Sequence, residues 1–329
     1  MALPRSRSYL GIAKETRPTP GSAPTAVAAT AFIPYTSITP FDNITYLDDK
    51  GMRGSMVDTY NVIQGKKHSE FDIAGDVFAD TVGYFIAGIL GDVTTTGSTA
   101  PYTHAISTLN SQATNGQPTT YTLSDYYSLG SSSTRQYAGT QFSEIDLKFS
   151  ADALLTYTAK GMGYVSATAS NPTPSFSTVA PLPSWTGTVT LSGSATSIMA
   201  EGNCNIKRTV EPIFTVDGTQ RPYQLFAGAV SAEGALTLVF ESDTELTYYL
   251  SNSQPALDID FTQSSGAEEV KLHMSQCAFT SAKIDRSKDY IQLMVNYRAM
   301  ANTTDVGASS GYSPIKVTLK NAKTSGTFA

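Results

Sequence analysis

The stretch FSEIDLKFS, residues 142–150, alternates apolar and polar side chains before a turn, as a strand with one buried face does. Residues 279–287, FTSAKIDRS, share its first and last residues and carry an apolar residue at the same sixth position. Ser150 to Ser287 and Asp152 to Asp289 keep the spacing of Phe142 to Phe279, so the correspondence runs without a gap. One hairpin written twice predicts a duplicated unit, and the flanking residues extend it.

Upstream, SEFDIAGDVFADTVGYFIAGIL begins at residue 69 and SAEGALTLVFESDTELTYYLSN at residue 231. Each reads as a strand, then F-x-D-T or F-x-x-D-T, then a helix. Asp80 and Asp243 are placed to cap these helices, whose first N–H groups lack intrahelical acceptors. Val82, Phe85, Ile86, Ile89 and Leu90 make an apolar stripe at helical spacing, and Leu246, Tyr249 and Leu250 are the counterpart. Alternating strands follow at YTHAISTL (102–109) and ALDIDFTQ (256–263), then YTLSDYY and VKLHMSQ, before hairpins that close with LLTYTAKGMGYV and YIQLMVNYRAM. Preceding each copy, ITYLDDKGMRGSMVDTYNVIQG (44–65) and NIKRTVEPIFTVDGTQRPYQLFAG (205–228) read as a strand, a charged excursion and a return strand. Excursions longer than closure of a fold requires are commonly contact elements.

A chain of 329 residues accommodates two cores. The expected organisation is an N-terminal arm (1–30), a β-domain (31–168), a Pro- and Ser-rich linker (169–184), a second β-domain (185–313) and a C-terminal strand or arm (314–329). Abundant Tyr and Phe with only 15% charged residues favour pleated, half-buried surfaces and a mainly β fold. The arm carries Arg5, Arg7, Lys14 and Arg17 and shows no core stripe, so it reads either as a frayed tail or as a segment ordered on a neighbouring subunit. The segment PIKVTL near the C-terminus reads as a strand added to a sheet edge, within or between subunits.

The net charge of −6 argues against gripping nucleic acid through its phosphates. No apolar run reaches the ~20 residues of a membrane span, and the N-terminus lacks a secretory apolar region, so folding in a cytoplasm is expected and the sequons at Asn43 and Asn302 read as chance matches. Cys204 and Cys277 have no metal-ligand spacing and read as buried free thiols. His68, His104 and His273 lie apart in strand-like stretches, GSSS at 130–133 lacks a nucleophile elbow, and GKK at 65–67 lacks the rest of a phosphate loop. The acidic pairs Asp48-Asp49 and Glu268-Glu269 read as solvated loop charge. No enzyme, cofactor or metal is expected.

SYLGIAKET near the start, FIPYTSITPFDNITYLDDKGMRGSMVDTYNVIQGKKHSEFDIAGDVFADTVGY, and GTQFSEIDLKFSADALLTYTAKG together resemble the major tail tube proteins of long, non-contractile-tailed phages, especially those of actinobacterial hosts. The resemblance spans nearly the whole chain and rests on structural stretches. It implies two tandem tail-tube-type β-sandwich or barrel units, each with one short flanking helix, in a virion structural protein whose rings stack into a conduit for DNA. It also implies a tape-measure protein, a tail terminator and a distal tail protein as partners, with double-stranded DNA passing through the lumen without specific binding.

With two units per chain, three chains complete a ring of six units; a six-chain ring is the alternative if the second half is an outer decoration. Ring-stacking candidates are Asp48, Asp49, Lys50 and Arg53 in the first excursion, and Arg208, Asp217 and Arg221 in the second. Lumen-facing candidates are Glu144, Asp146 and Lys148. A virion-surface carbohydrate- or receptor-binding β-sandwich is the rival reading, supported only by Tyr126, Tyr127 and the Asp48-Asp49 pair. A two-domain hydrolase is a third, against which the missing nucleophile and metal patterns count.

Overall fold

The element that organises the molecule is the strand begun by the quoted motif. The computed structural model describes residues 4–127 and 134–329, so the serine loop expected at 130–133 lies outside the described residues. In chain order the elements are β1 (Tyr9–Glu15), β2 (Ala31–Ile33), β3 (Ser37–Asp49), β4 (Asn61–Asp76), α1 (Val82–Leu90), β5 (Gly91–Thr96), β6 (Tyr102–Thr108), β7 (Thr120–Tyr126), β8 (Thr134–Ser150), β9 (Thr156–Gly163) and β10 (Ala167–Ala169). There follow β11 (Gly187–Leu191), β12 (Ser194–Thr196), β13 (Met199–Ile213), β14 (Gln224–Val239), α2 (Thr244–Leu250), β15 (Leu257–Thr262), β16 (Glu269–Met274), β17 (Cys277–Asp285), β18 (Gln292–Ala299) and β19 (Lys316–Asn321).

All the ladders are antiparallel and form two sheets. Across the longer sheet the strands run β3, β4, β9, β8, β13, β14, β18, β17. The first four and the last four stand in the same order: a first hairpin in chain order, then the closing hairpin reversed. Their irregularities coincide as well. β8 steps by a residue against β9 between Phe142 and Glu144, and β17 steps against β18 between Phe279 and Ser281. β3 steps against β4 between Ile44 and Tyr46, and β13 against β14 between Arg208 and Val210. Bulges bend a strand and raise its local twist, and here they fall at equivalent places in the two quartets.

β8 is long enough for two tasks. Its first half pairs with β7 and β10, and its second half lies between β9 and β13, so the two quartets are one continuous sheet. Along the second half Ile145, Leu147 and Phe149 face the core, where Cys204 and Ile206 meet them from β13. The smaller sheet runs β12, β11, β15, β16, β19, β6, β5 and closes the sandwich.

α1 is buried on every side, beyond the single stripe its spacing predicts. Gly88 allows Phe142 and Tyr121 to approach: a Cβ there would stand 2.5 Å from the Phe142 ring. Thr81 is the N-cap residue, with no side-chain cap bond, and Asp80 stands one residue too early to cap. At α2, Asp243 does occupy the N-cap, yet its backbone carbonyl, not its carboxylate, accepts from the Thr247 N–H.

The termini depart from expectation. The first thirty residues do contain core: β1 lies between β7 and β2, and Leu10, Ile12 and Ala13 are fully buried. β19 adds to no edge; it joins β16 to β6 in the middle of the smaller sheet, and Phe328 beyond it is buried. The residues after each helix also differ. β5 follows α1 directly, and β7 enters the long sheet beside β8 and β1, whereas β16 lies in the smaller sheet. The colinearity read from sequence therefore holds for the long-sheet quartets and fails in the layer over them.

Candidate assembly surfaces

Both ends of the eight-strand run are open. Among the described residues β3 pairs only with β4, and β17 only with β18, which leaves a row of backbone N–H and C=O groups at each end. The face of the sheet turned from the core is polar. Glu144, Asp146 and Lys148 lie on it together, as their alternation predicts, and each carboxylate has a cation: Glu144 with Lys160 at 3.5 Å, Asp146 with Lys148 at 3.4 Å. Across the β8–β13 seam, Asn205 Nδ2 donates to Glu144 at 2.8 Å and Asn203 Nδ2 to Asp146 at 2.7 Å. Lys207 and Glu233 continue the pattern at 3.3 Å. Charge on this face is thus balanced locally, not uniformly negative.

The excursions become hairpin ends. In the first, Asp49 accepts from Gly51 N–H and pairs with Arg53, whose guanidinium stacks on Tyr60 at 4.7 Å; Lys50 pairs with Asp58 at 3.3 Å, and Asp48 is exposed near the end of β3. In the second, Asp217 is exposed and accepts from the Thr219 N–H and hydroxyl. Arg221 is half-buried and donates to the Gly21 carbonyl.

Arg208 does not belong with them. It is buried, and its guanidinium donates to the carbonyls of Ile89, Gly228 and Gly116. Arg17, half-buried, donates to Gln117, Gln141 and the carbonyls of Pro118 and Leu225. Burial lowers both guanidinium pKa values to about 10. Together they tie the base of the β13–β14 hairpin to the first half of the chain. Alternation along β13 puts Arg208 on the core side with Cys204 and Ile206, a signal available in the sequence but outweighed there by the residue's charge.

The remaining chemistry is self-contained. His68 bonds to Glu70 at 2.8 Å, His104 to Thr95 and Asn321 at 2.9 and 3.2 Å, and His273 to Asp258 and Ser275 at 2.6 and 3.1 Å. Desolvation lowers the pKa of His104. Cys204 and Cys277 are free and buried, and burial pushes the Cys204 thiol up to about 12. Among the described residues no group of His, Cys, Asp and Glu is arranged to hold a metal, and no helix is long and apolar enough to cross a membrane.

A broad sheet with open ends, a locally neutralised polar face and projecting hairpins defines a structural subunit built around its edges rather than around a pocket. A family model described as phage tail tube protein matches residues 5–299. The chain therefore belongs to the phage tail tube protein family: it is a structural component of the virion tail that self-assembles into a tube, and it is not an enzyme. A comparison with curated proteins yields no match.

Proposed function

We propose that three copies of this chain close one ring of a long, non-contractile tail of the actinobacteriophage type, each copy supplying two tube units. The observation that carries this reading is the repeated quartet order with its matching bulges. One chain already joins two quartets through β8 and β13, and it leaves unlike edges, β3 and β17, at its two ends. Unlike edges make a head-to-tail contact, which generates a ring when the rotation closes, and closure leaves neither end of the eight-strand run open to aggregation. The unit boundary in this reading falls in the linker at residues 169–184, and the polar face with Glu144, Asp146 and Lys148 becomes the lumen wall.

Local ion pairing on that wall leaves no run of cations on which phosphates could lodge, and the net charge of −6 disfavours adhesion of DNA as it passes. Asp48, Asp49, Lys50, Arg53 and Asp217 stand on exposed hairpin ends suited to contact the next ring, with Arg221 bracing one of them. A tape-measure protein in the lumen and terminator and distal tail proteins at the ends complete the assembly. The test is mass measurement of an isolated ring. Three chains support the reading; six chains overturn the two-units-per-ring-position count, and a particle that stays monomeric when concentrated and binds glycan supports the receptor-binding alternative.

A further inference from the structure

Resting on the tube reading, we propose that the junction between neighbouring copies repeats the internal β8–β13 seam residue for residue. β17 of one copy pairs with β3 of the next, and the β3–β4 hairpin of that next copy lies over the end of β18 of the first.

The register comes from the ladders. The bulges make Phe279 the counterpart of Phe142 and Ser281 that of Glu144. Following each ladder inward, Tyr297 corresponds to Gly161, Gly234 to Phe71 and Asn203 to Thr39, which places the second pair of bulges level at Ile44 and Arg208. In the internal seam Glu144 faces Lys207, Asp146 faces Asn205 and Lys148 faces Asn203. The same seam between copies sets Ser281 opposite Asn43, Lys283 opposite Phe41 and Asp285 opposite Thr39 of the next copy. Lys283 and Phe41 are exposed in the isolated chain, on the polar face of the sheet.

A second observation, independent of the strand edges, selects the same occupant. On the β13–β14 hairpin, Val210 and Leu225 are 6% and 3% exposed because they pack with Tyr164 and Met162 at the end of β9. The hairpin loop is fastened there too, with Gln220 accepting from the Lys67 N–H at 2.8 Å and Phe214 packed edge-on to His68. The counterparts of Val210 and Leu225 on the β3–β4 hairpin are Tyr46 and Val62, and they are 57% and 51% exposed. The counterparts of Met162 and Tyr164 are Arg298 and Met300, also uncovered, with Met300 37% exposed. One hairpin has its receiving surface in the same chain; the other has an equivalent apolar pair and an equivalent receiving surface at opposite ends of the molecule. A second copy brings them together. Pro40 has no N–H to give, so the β3 edge offers one donor fewer than a full ladder.

The test uses the full chain carrying Lys283→Cys and Phe41→Cys, with the buried native thiols in place. Directly opposed residues have Cβ atoms about 4.5–5.5 Å apart, within a small adjustment of disulfide geometry. Mild oxidation of assembled protein is expected to link chains into closed circles, with roughly tenfold more product than Lys283→Cys paired with Thr39→Cys or Asn43→Cys, the positions a two-residue slip favours. The double variant Tyr46→Asp, Val62→Asp is expected to keep the wild-type melting temperature as a monomer and to form no rings by negative-stain microscopy. Rings that crosslink at a slipped pair, or that form normally from the double Asp variant, overturn this junction and leave the tube reading intact. A wild-type chain that never assembles overturns both.

Discussion

The helices α1 and α2 stand at the same point of two matching strand orders, and every residue of one is buried while no residue of the other is. α1 is enclosed by β8 on one side and β5 and β6 on the other, and Phe328 seals its N-terminal end against Tyr84 at 5.1 Å. α2 rests mainly on β17, through contacts such as Tyr248 with Phe279. The tail that carries β19 and Phe328 exists once per chain, so it can complete only one of two similar cavities. Strand order can be duplicated without duplicating the cover, because each sheet face is buried by whichever segment reaches it.

The sharpest way to break this contrast is to remove one apolar side chain from each helix. Phe85→Ala in α1 is expected to cost about 3–5 kcal/mol by leaving a cavity among Phe142 and Tyr157. Leu250→Ala in α2, where the side chain is exposed, is expected to stay within about 0.5 kcal/mol. Chemical denaturation of the unassembled chain measures both, and equal losses would erase the distinction between the helices.

The hairpin bases give the next effect. Arg208→Met strips donors from three carbonyls and is expected to cost roughly 2–3 kcal/mol, since bonds from a charged group outweigh neutral ones. Its counterpart Ile44 is half-buried, and Ile44→Ala is expected to cost under about 1 kcal/mol in the unassembled chain. The same unfolding measurement compares them.

A smaller effect sharpens the contrast at β1 and β7, for which the second quartet has no equivalent. Burial raises the pKa of Glu15, against opposing hydrogen bonds from the Gly139 N–H and the Thr122 hydroxyl. The folded chain then binds this proton more tightly than the unfolded chain. The resulting stability is fully present below the ordinary carboxylate value and is lost as pH rises through the raised folded value. Glu15→Gln is expected to gain on the wild type above that window and to show no gain below it, as followed by melting temperature against pH. The smallest change is Lys148→Ala, whose exposed pair with Asp146 contributes about 0–1 kcal/mol to the unassembled chain. If it alters ring formation more than folding, the polar face matters to assembly and not to the fold.

Much of the long sheet was legible because its residues report on themselves. Alternation in FSEIDLKFS and FTSAKIDRS, and in the strands before each helix, places every second residue on the core without reference to anything distant. The histidines' partners, the burial of β1 and the insertion of β19 were not legible in that way. YLGIAKE has no periodicity that separates a core strand from an arm, and its burial depends on β7, more than a hundred residues away in the chain. Among the site candidates, Glu144, Asp146 and Lys148 share a face as read, whereas charge alone misplaced Arg208 among the exposed groups.

The sequence by itself determined that this is a mainly β chain with a repeated hairpin, two short helices and the family traits of a tail tube protein, because strand alternation, helix spacing and a gapless echo are all local patterns. Only the tertiary structure decided which helix is enclosed, where Arg208 points, and that β8 and β13 merge the quartets into one eight-strand run with an open strand at each end. Burial and strand partnership are set by segments far apart in the chain competing for the same surfaces, and no window of residues contains that competition.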